Sequence, residues 1–161
     1  MRQLLHRREV QPDRWRYPGE DGPGPLVQTL AELLTAGAAA ALAAPAGVEL
    51  GVRVGPTDEV ERLAPFIALL TLIVVQFEAS GDGRGYTQGQ LLRQRYRYPG
   101  ELRAAGAIRR DHLFLLARCG FDAFDFEPQE DPRAALAHLE RFSVAYQPAS
   151  DILVQPRRRL L

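Results

Sequence analysis

The sequence predicts an α/β protein made of repeated strand–helix units around a parallel sheet. Apolar or β-branched runs alternate with helical segments through the middle of the chain. The run TLIVVQFE at 71–78 is almost continuously apolar, which is typical of a strand covered on both faces. With 161 residues, 46% hydrophobic and 25% charged, the chain can form one globular core.

The predicted strands follow from apolar runs that end at glycine, proline or acidic residues. A short strand or hairpin is expected between Leu4 and Trp15, and a short strand at PLVQ, residues 25–28. Further strands are expected at 48–55, 71–78, 101–107 and 121–127.

Each central strand is followed by a helical segment with its own start or stop signal. The helices are expected at 30–47, at 57–70, from Thr87 onward, at 109–120 and at 131–142. Thr57 or Asp58 is expected to cap the second, and Thr87 with Gln90 to form a capping box on the third. Asp131 followed by Pro132 is a strong start signal for the last.

Two architectures fit this alternation. One is a partial, half TIM-barrel-like sheet, and the other is an open doubly wound three-layer sheet. We expect an N-terminal arm at 1–24, one α/β domain at 25–148 and a C-terminal tail at 149–161. A half barrel has too few strands to close, so its edges need cover from the arm or from a second subunit. We therefore expect a homo-oligomer.

Composition limits the classes of partner. Twenty basic and 20 acidic residues cancel, so no overall field attracts nucleic acid or a membrane. All basic residues are Arg and none is Lys, which weakens arguments that rest on Arg at any one position. The Ala-rich stretch at 30–47 contains Glu32 and is expected to pack on the sheet rather than in lipid.

Cysteine and histidine usage points to a reduced, cytoplasmic setting without a metal site. Cys119 is the only cysteine, so no internal disulfide can form, and it is expected to be buried and inert. The three histidines show no ligand spacing. No secretory signal is expected in residues 1–16.

The loop EASGDGRGYT at 78–87 is the first candidate site, because ligands of parallel α/β folds lie beyond the carboxyl ends of the strands. Asp82, Arg84, Gly85 and Thr87 could hold an oxyanion at a helix start. The loop lacks both the Walker A and the GxGxxG spacing. A capped helix after a turn, with Asp82 and Arg84 facing solvent, explains it equally well.

The segment AIRRDH at 107–112 is the second candidate. Arg110 stands at a helix start, where the dipole disfavours a cation, so a ligand or an ion pair would explain it. An exposed first turn with Asp111 paired to an arginine is the structural alternative. The acidic loop EPQED at 127–131 is explained as a loop with a helix cap.

The run LLRQRYRYPG at 91–100 alternates arginine with tyrosine, which raises RNA binding as a hypothesis. Residues two apart point in different directions on a helix. We therefore expect Arg93 and Arg97 to share a solvated face while Leu92 and Tyr96 face the sheet, and we predict no nucleic-acid partner.

The segments DGRGYTQGQLLR, YPGELRAAG, RRDHLFLLARCGFDAF and FSVAYQP resemble a bacterial family, family 934 of domains of unknown function. Its members are often labelled "oxidoreductase probably involved in sulfite reduction". The resemblance implies a cytoplasmic accessory protein of assimilatory sulfate and sulfite reduction, with sulfite reductase or another enzyme of sulfur assimilation as a partner. It implies no reaction, so no catalytic residue is assigned and enzyme activity is left open.

On this reading the protein binds an oxyanion or the reductase at its strand–helix loops. Arg103 joins Arg84, Arg110 and Asp111 as a candidate binding residue, and Arg84 and Arg110 are expected to converge. One alternative is a small flavin- or nucleotide-dependent oxidoreductase of sulfur metabolism. No cofactor motif is evident, although the sequence leaves a flavin site open. Another alternative is a scaffold dimer without a small-molecule site.

Overall fold

The computed structural model describes residues 2–42, 47–79 and 81–140. The predicted tail at 149–161, the segment FSVAYQP and the predicted domain end at 148 lie outside the described residues. In the described part, the strands are β1 Gln3–His6, β2 Glu9–Pro12, β3 Val27–Thr29, β4 Leu50–Val54, β5 Leu70–Phe77, β6 Glu101–Gly106 and β7 Ala123–Asp125. The α-helices are α1 Leu30–Leu42, α2 Arg84–Gln90, α3 Leu113–Arg118 and α4 Pro132–Glu140.

The seven strands form one open, mostly parallel sheet in the order β2-β1-β7-β6-β5-β4-β3. Strands β3 to β7 are parallel neighbours in sequence order. The predicted α/β class is therefore confirmed. A doubly wound sheet reverses its strand order at a switch point, and this sheet has no such reversal. Its resemblance to half a barrel stays an interpretation of the strand order.

The predicted N-terminal hairpin is confirmed. Strands β1 and β2 pair antiparallel, and β1 also pairs antiparallel with β7 through Leu5 and His6. The hairpin thereby covers the free edge of β7. The sheet ends at β2 on one side and at β3 on the other. The homo-oligomer that we expect from such edges stays a prediction.

The two faces of the sheet are covered differently. One, the helix face, packs against the helices in a core that includes Val75, Phe77, Leu102 and Leu116. The other, the arm face, packs against Trp15 and Tyr17 of the N-terminal arm in a smaller cluster: Trp15, Tyr17, Val27, Leu72, Val74 and Ala105. The arm face is therefore only partly apolar, and it carries the polar residues described below.

Two predicted helix starts are wrong. The segment after β4 forms a 3-10 turn at Val60–Phe66 instead of an α-helix, and Pro65 lies inside it. Asp58 accepts a hydrogen bond from the Gly55 N–H at 2.7 Å, which closes the preceding turn. Helix α2 begins at Arg84 after Gly83, so Thr87 lies within the helix and forms no capping box with Gln90.

The predicted start of α4 is confirmed. Pro132 is its first residue, and the Asp131 carboxylate accepts a hydrogen bond from the Arg133 N–H at 2.9 Å. Helix α1, Leu30–Leu42, is kinked at Gly37, whose φ is 77°. No helix in residues 2–42, 47–79 or 81–140 is long and apolar enough to cross a bilayer.

The expected solvated position of Arg93 is wrong. Its side chain is only 6% exposed and donates hydrogen bonds to the carbonyl oxygens of Gly120, Tyr98 and Gly100 at 2.7, 2.6 and 2.8 Å. The chain continues from α2 as a π-helical turn over Leu91–Arg95. Arg93 therefore joins this turn to the ends of the neighbouring elements, while Arg97 is exposed as expected.

Candidate functional site

Strand register places polar side chains in two rows on the arm face. Gln76, Ala105 and Asp125 are partners across β5, β6 and β7. One step toward the strand starts, Arg53 pairs with Val74, and Val74 pairs with Arg103. Gln76 and Asp125 therefore stand at the carboxyl ends of their strands with only the small Ala105 between them.

A cavity of about 630 Å³ opens above this point. Its lining comes from the ends of β4 to β7, from the arm and from the loop before α4: Arg2, Gln3, Tyr17, Arg53, Gln76, Ala105, Gly106, Asp125, Phe126, Glu127, Pro128, Glu130 and Pro132. Cavities of about 300–1,000 Å³ are typical of small-molecule sites, and parallel α/β proteins bind ligands at this end of the strands. This cavity is the candidate functional site.

A buried ion network lies beside the cavity. The Arg103 side chain is 1% exposed, and its guanidinium donates to the Asp13 carboxylate at 2.8 Å and to the Tyr17 hydroxyl oxygen at 3.1 Å. It also donates to Glu101 at 2.9 and 2.7 Å. Burial alone would lower the pKa of Arg103, but Tyr17, Glu101 and Asp13 outweigh it and hold that pKa above its ordinary value. Arg103 therefore fastens the arm to the sheet.

Tyr17 lies between this network and the cavity. Burial raises the pKa of the Tyr17 phenol to about 12, against the opposing charge of Arg103. Arg2 stacks over the Tyr17 ring, with its Cζ 4.2 Å from the ring centroid. The phenol therefore stays neutral at physiological pH and serves as an apolar wall with a polar tip.

Asp125 is the buried acid of the cavity. Its side chain is 9% exposed, and one oxygen lies 3.5 Å from Arg2 Nε. The other oxygen, Oδ1, is buried without a hydrogen-bond partner among the described residues. Burial raises the pKa of Asp125, while Arg2 and Arg103 oppose the rise. A buried polar atom with no partner is costly in a folded protein, so a hydrogen-bond donor at Oδ1 would stabilise the site.

Arg53 and Gln76 lie on the other side of Ala105. The Arg53 guanidinium forms no ion pair within 4.0 Å with a carboxylate of the described residues, and it interacts with the Glu32 carboxylate only at longer range. Gly106 contacts Gln76 closely. Its φ is 92°, and a Cβ at this position would overlap Gln76 Nε2 and the Phe77 carbonyl oxygen. Both polar groups are thus positioned by the sheet itself.

Asp125 is expected to make stability depend on pH. Its folded-state pKa is raised above its ordinary value of 3.8, so the folded protein holds the proton more tightly than the unfolded chain. The stabilising effect is complete below 3.8 and is lost as pH rises through the folded pKa. Urea unfolding across this range should show wild type losing stability relative to Asp125→Asn as pH rises.

The reference for that comparison is the Asn variant, because it keeps every other titrating group, including the neighbouring Arg2, Arg103, Asp13 and Glu20. A constant difference between the two proteins across the range, or one of opposite slope, would contradict a raised pKa at Asp125.

The residues predicted in the 78–87 loop form local contacts. The Arg84 guanidinium donates to both Asp82 oxygens, at 2.7–3.2 Å. The Arg84 side chain is exposed, whereas the Asp82 side chain is largely covered. Gly85 is buried, and a Cβ there would lie 2.5 Å from Phe77 Cζ. Gly85 therefore permits close packing of α2 on β5. Thr87 is exposed within α2. Anion binding at this loop stays a prediction.

The remaining predicted residues lie in two places. Arg110 and Asp111 are exposed in a 3-10 turn at Arg110–His112, where His112 Nδ1 accepts a hydrogen bond from the Arg109 N–H at 3.2 Å. Arg103 is instead buried on the arm face with its two carboxylate partners. The convergence of Arg84 with Arg110 stays a prediction.

Eight polar residues of the cavity are absent from the predicted site residues: Arg2, Gln3, Tyr17, Arg53, Gln76, Asp125, Glu127 and Glu130. A usable signal was present for three of them. VRVG, IVVQF and AFDFE each place one polar side chain near the carboxyl end of an apolar strand. Their common face follows from the alternation of side chains along parallel strands. Glu127 and Glu130 were read only as part of a capped loop.

The fold and the cavity together define a protein with an open parallel sheet, a helix face, and a ligand-sized cavity at the carboxyl ends of its strands. A family model described as "Bacterial protein of unknown function (DUF934)" matches residues 51–155. Since this range covers more than half of the chain, the chain belongs to that family, as the sequence resemblance predicted. No curated protein matches the chain.

Proposed function

We propose that the protein is a cytoplasmic accessory protein of assimilatory sulfite reduction that binds a small ligand in the strand-end cavity. The observation that carries the binding role is the cavity of about 630 Å³ lined by Asp125, a buried acid whose Oδ1 has no hydrogen-bond partner among the described residues. The link to sulfur assimilation rests on the label attached to the family. Sulfite reductase is the proposed partner enzyme.

The geometry favours binding over an autonomous redox reaction. Cys119 lies in the core of the helix face, where burial raises its thiol pKa, so it is not a ready nucleophile. The polar groups of the cavity are arginine, glutamine, tyrosine and carboxylate side chains, which recognise polar ligands by hydrogen bonds and charge. A flavin band in the absorbance spectrum of the purified protein would contradict this preference.

Growth of a deletion strain tests the proposed pathway. The strain is compared with wild type on sulfate, sulfite, sulfide and cysteine as sole sulfur sources. We expect poor growth on sulfate and sulfite, and normal growth on sulfide and cysteine, because only the step from sulfite to sulfide needs the protein. Equal growth of the two strains on all four sources would overturn the proposed role.

A further inference from the structure

The charges of the cavity are divided between its two sides. Arg53 and Gln76 belong to β4 and β5, whereas Asp125, Glu127 and Glu130 belong to β7 and the loop that follows it. Gln76 and Asp125 are both register partners of Ala105. Their Cα atoms are therefore about two strand spacings, or about 10 Å, apart. One side of the cavity is cationic and the other is acidic.

Arg2 does not neutralise the acidic side, because its charge is shared. It donates to the Asp13 carboxylate at 3.2 and 3.0 Å. It also lies 3.6 Å from Glu20 and 3.5 Å from Asp125. Arg2 is thus shared among three carboxylates, and Asp125 Oδ1 still lacks a partner.

This division argues against a doubly charged inorganic anion as the ligand. Three carboxylate side chains line the same cavity. Of the two arginines that line it, Arg2 forms ion pairs, whereas Arg53 forms none within 4.0 Å with the described residues and interacts with Glu32 only at longer range. A dianion beside Arg53 would be repelled by the acidic side in a partly desolvated space. A simple cation would leave Arg53 without a partner in the cavity.

We propose that the ligand is an amino acid bound as its zwitterion, with its carboxylate at Arg53 and Gln76 and its ammonium group at Asp125 and Glu127. This ligand class satisfies the guanidinium and the unpartnered carboxylate oxygen at the same time. The inference rests on the proposed role of the cavity as a ligand site. The small residue Ala105 lies between Gln76 and Asp125 in the sheet, so the ligand's carbon skeleton would lie above it.

Titration calorimetry on the purified full chain tests this inference. The probes are the standard amino acids, β-alanine and 4-aminobutanoate, which vary the spacing between the charges, together with sulfite and sulfate. At least one zwitterion should bind with a dissociation constant of about 1 mM or tighter. The matching carboxylic acid without the amine, and the matching amine without the acid, should each bind at least about 10-fold more weakly.

Binding measurements on variants of Asp125 and Arg53 form the second part of the test. Asp125→Asn keeps the shape of the side chain and should weaken the best zwitterion by about 10- to 100-fold, as should Arg53→Met. The matched control is Arg62→Met, since Arg62 is exposed and does not line the cavity. Fluorescence of Trp15, the only tryptophan, shows whether each variant keeps the arm packed.

Two outcomes would overturn the inference. Binding of sulfite or sulfate that needs Arg53 but is unchanged in Asp125→Asn would replace the zwitterion by an oxyanion and leave the proposed function standing. Failure of every zwitterion probe to bind would also overturn the ligand class. The growth experiment is independent of both, because it reports on the pathway whatever the ligand is.

Discussion

Arg103→Met should destabilise the protein by about 3–5 kcal/mol, because it removes the cation paired with Glu101 and one of the two cations, Arg2 and Arg103, that are paired with Asp13. The Asp13 and Glu101 side chains are 2% and 13% exposed, so water cannot fully replace the guanidinium. Methionine fills much of the volume but donates no hydrogen bond. Urea denaturation followed by circular dichroism measures the loss.

The same variant should loosen the arm before the sheet unfolds. Trp15 packs against Gly51 on the arm face, where a Cβ would lie 2.7 Å from Trp15 Cζ3. Its emission should therefore shift to the red in Arg103→Met at urea concentrations where the helices persist. The control for the free energy of unfolding is Arg14→Met, which removes an exposed ion pair with Glu49 and a contact of Arg14 with the Trp15 ring and should cost at most about 1 kcal/mol. A loss below about 1 kcal/mol in Arg103→Met would contradict the proposed anchoring of the arm.

Arg93→Met should also cost about 3–5 kcal/mol, although the sequence suggested a surface arginine. Its guanidinium satisfies three backbone carbonyl oxygens and lies 3.1 Å from Asp122, whose side chain is 1% exposed. Asp122 in turn accepts a hydrogen bond from the Leu102 N–H at 2.8 Å. Loss of Arg93 leaves this carboxylate with the more distant Arg7, whose Nε lies 3.5 Å away.

Arg95→Met is the matched control for Arg93→Met. Arg95 is exposed two residues along the same turn, with its guanidinium 5.6 Å from the centre of the Tyr96 ring. Its replacement should change the free energy of unfolding by at most about 1 kcal/mol. If the two substitutions lowered the free energy of unfolding equally in urea denaturation, the buried contacts of Arg93 would not contribute the stability expected of them.

The parallel sheet was predictable because its signals are local. Apolar runs mark β4 to β7, and Asp131 with Pro132 marks the start of α4. The two failed helix starts had equally good local signals at Thr57 and Thr87. Pro65 removes a backbone donor from the first of these segments. In the second, Gly85 lets α2 start earlier by packing directly on Phe77, and such packing contacts are not visible in sequence.

The cavity was harder to predict because its residues are far apart in the chain. Residue type alone suggested anion binding at the Arg84 and Arg110 loops, yet Arg84 forms an ion pair with the nearby Asp82. Arg93 and Arg103 looked like other arginines in a composition without lysine. Their burial depends on Asp122 and Asp13, which lie 29 and 90 residues away. Only the register of the strands brings Gln76, Ala105 and Asp125 into one row.

The most direct test of the strand-end site is complementation of the deletion strain by Ala105→Leu. Ala105 is 4% exposed between Gln76 and Asp125, so leucine would occupy the cavity floor. Ala134→Leu, on the exposed side of α4, controls for the substitution itself. The cavity account predicts that Ala105→Leu accumulates as a folded protein but fails to restore growth on sulfate, while Ala134→Leu restores it. Full growth with Ala105→Leu would show that the cavity is not the functional site.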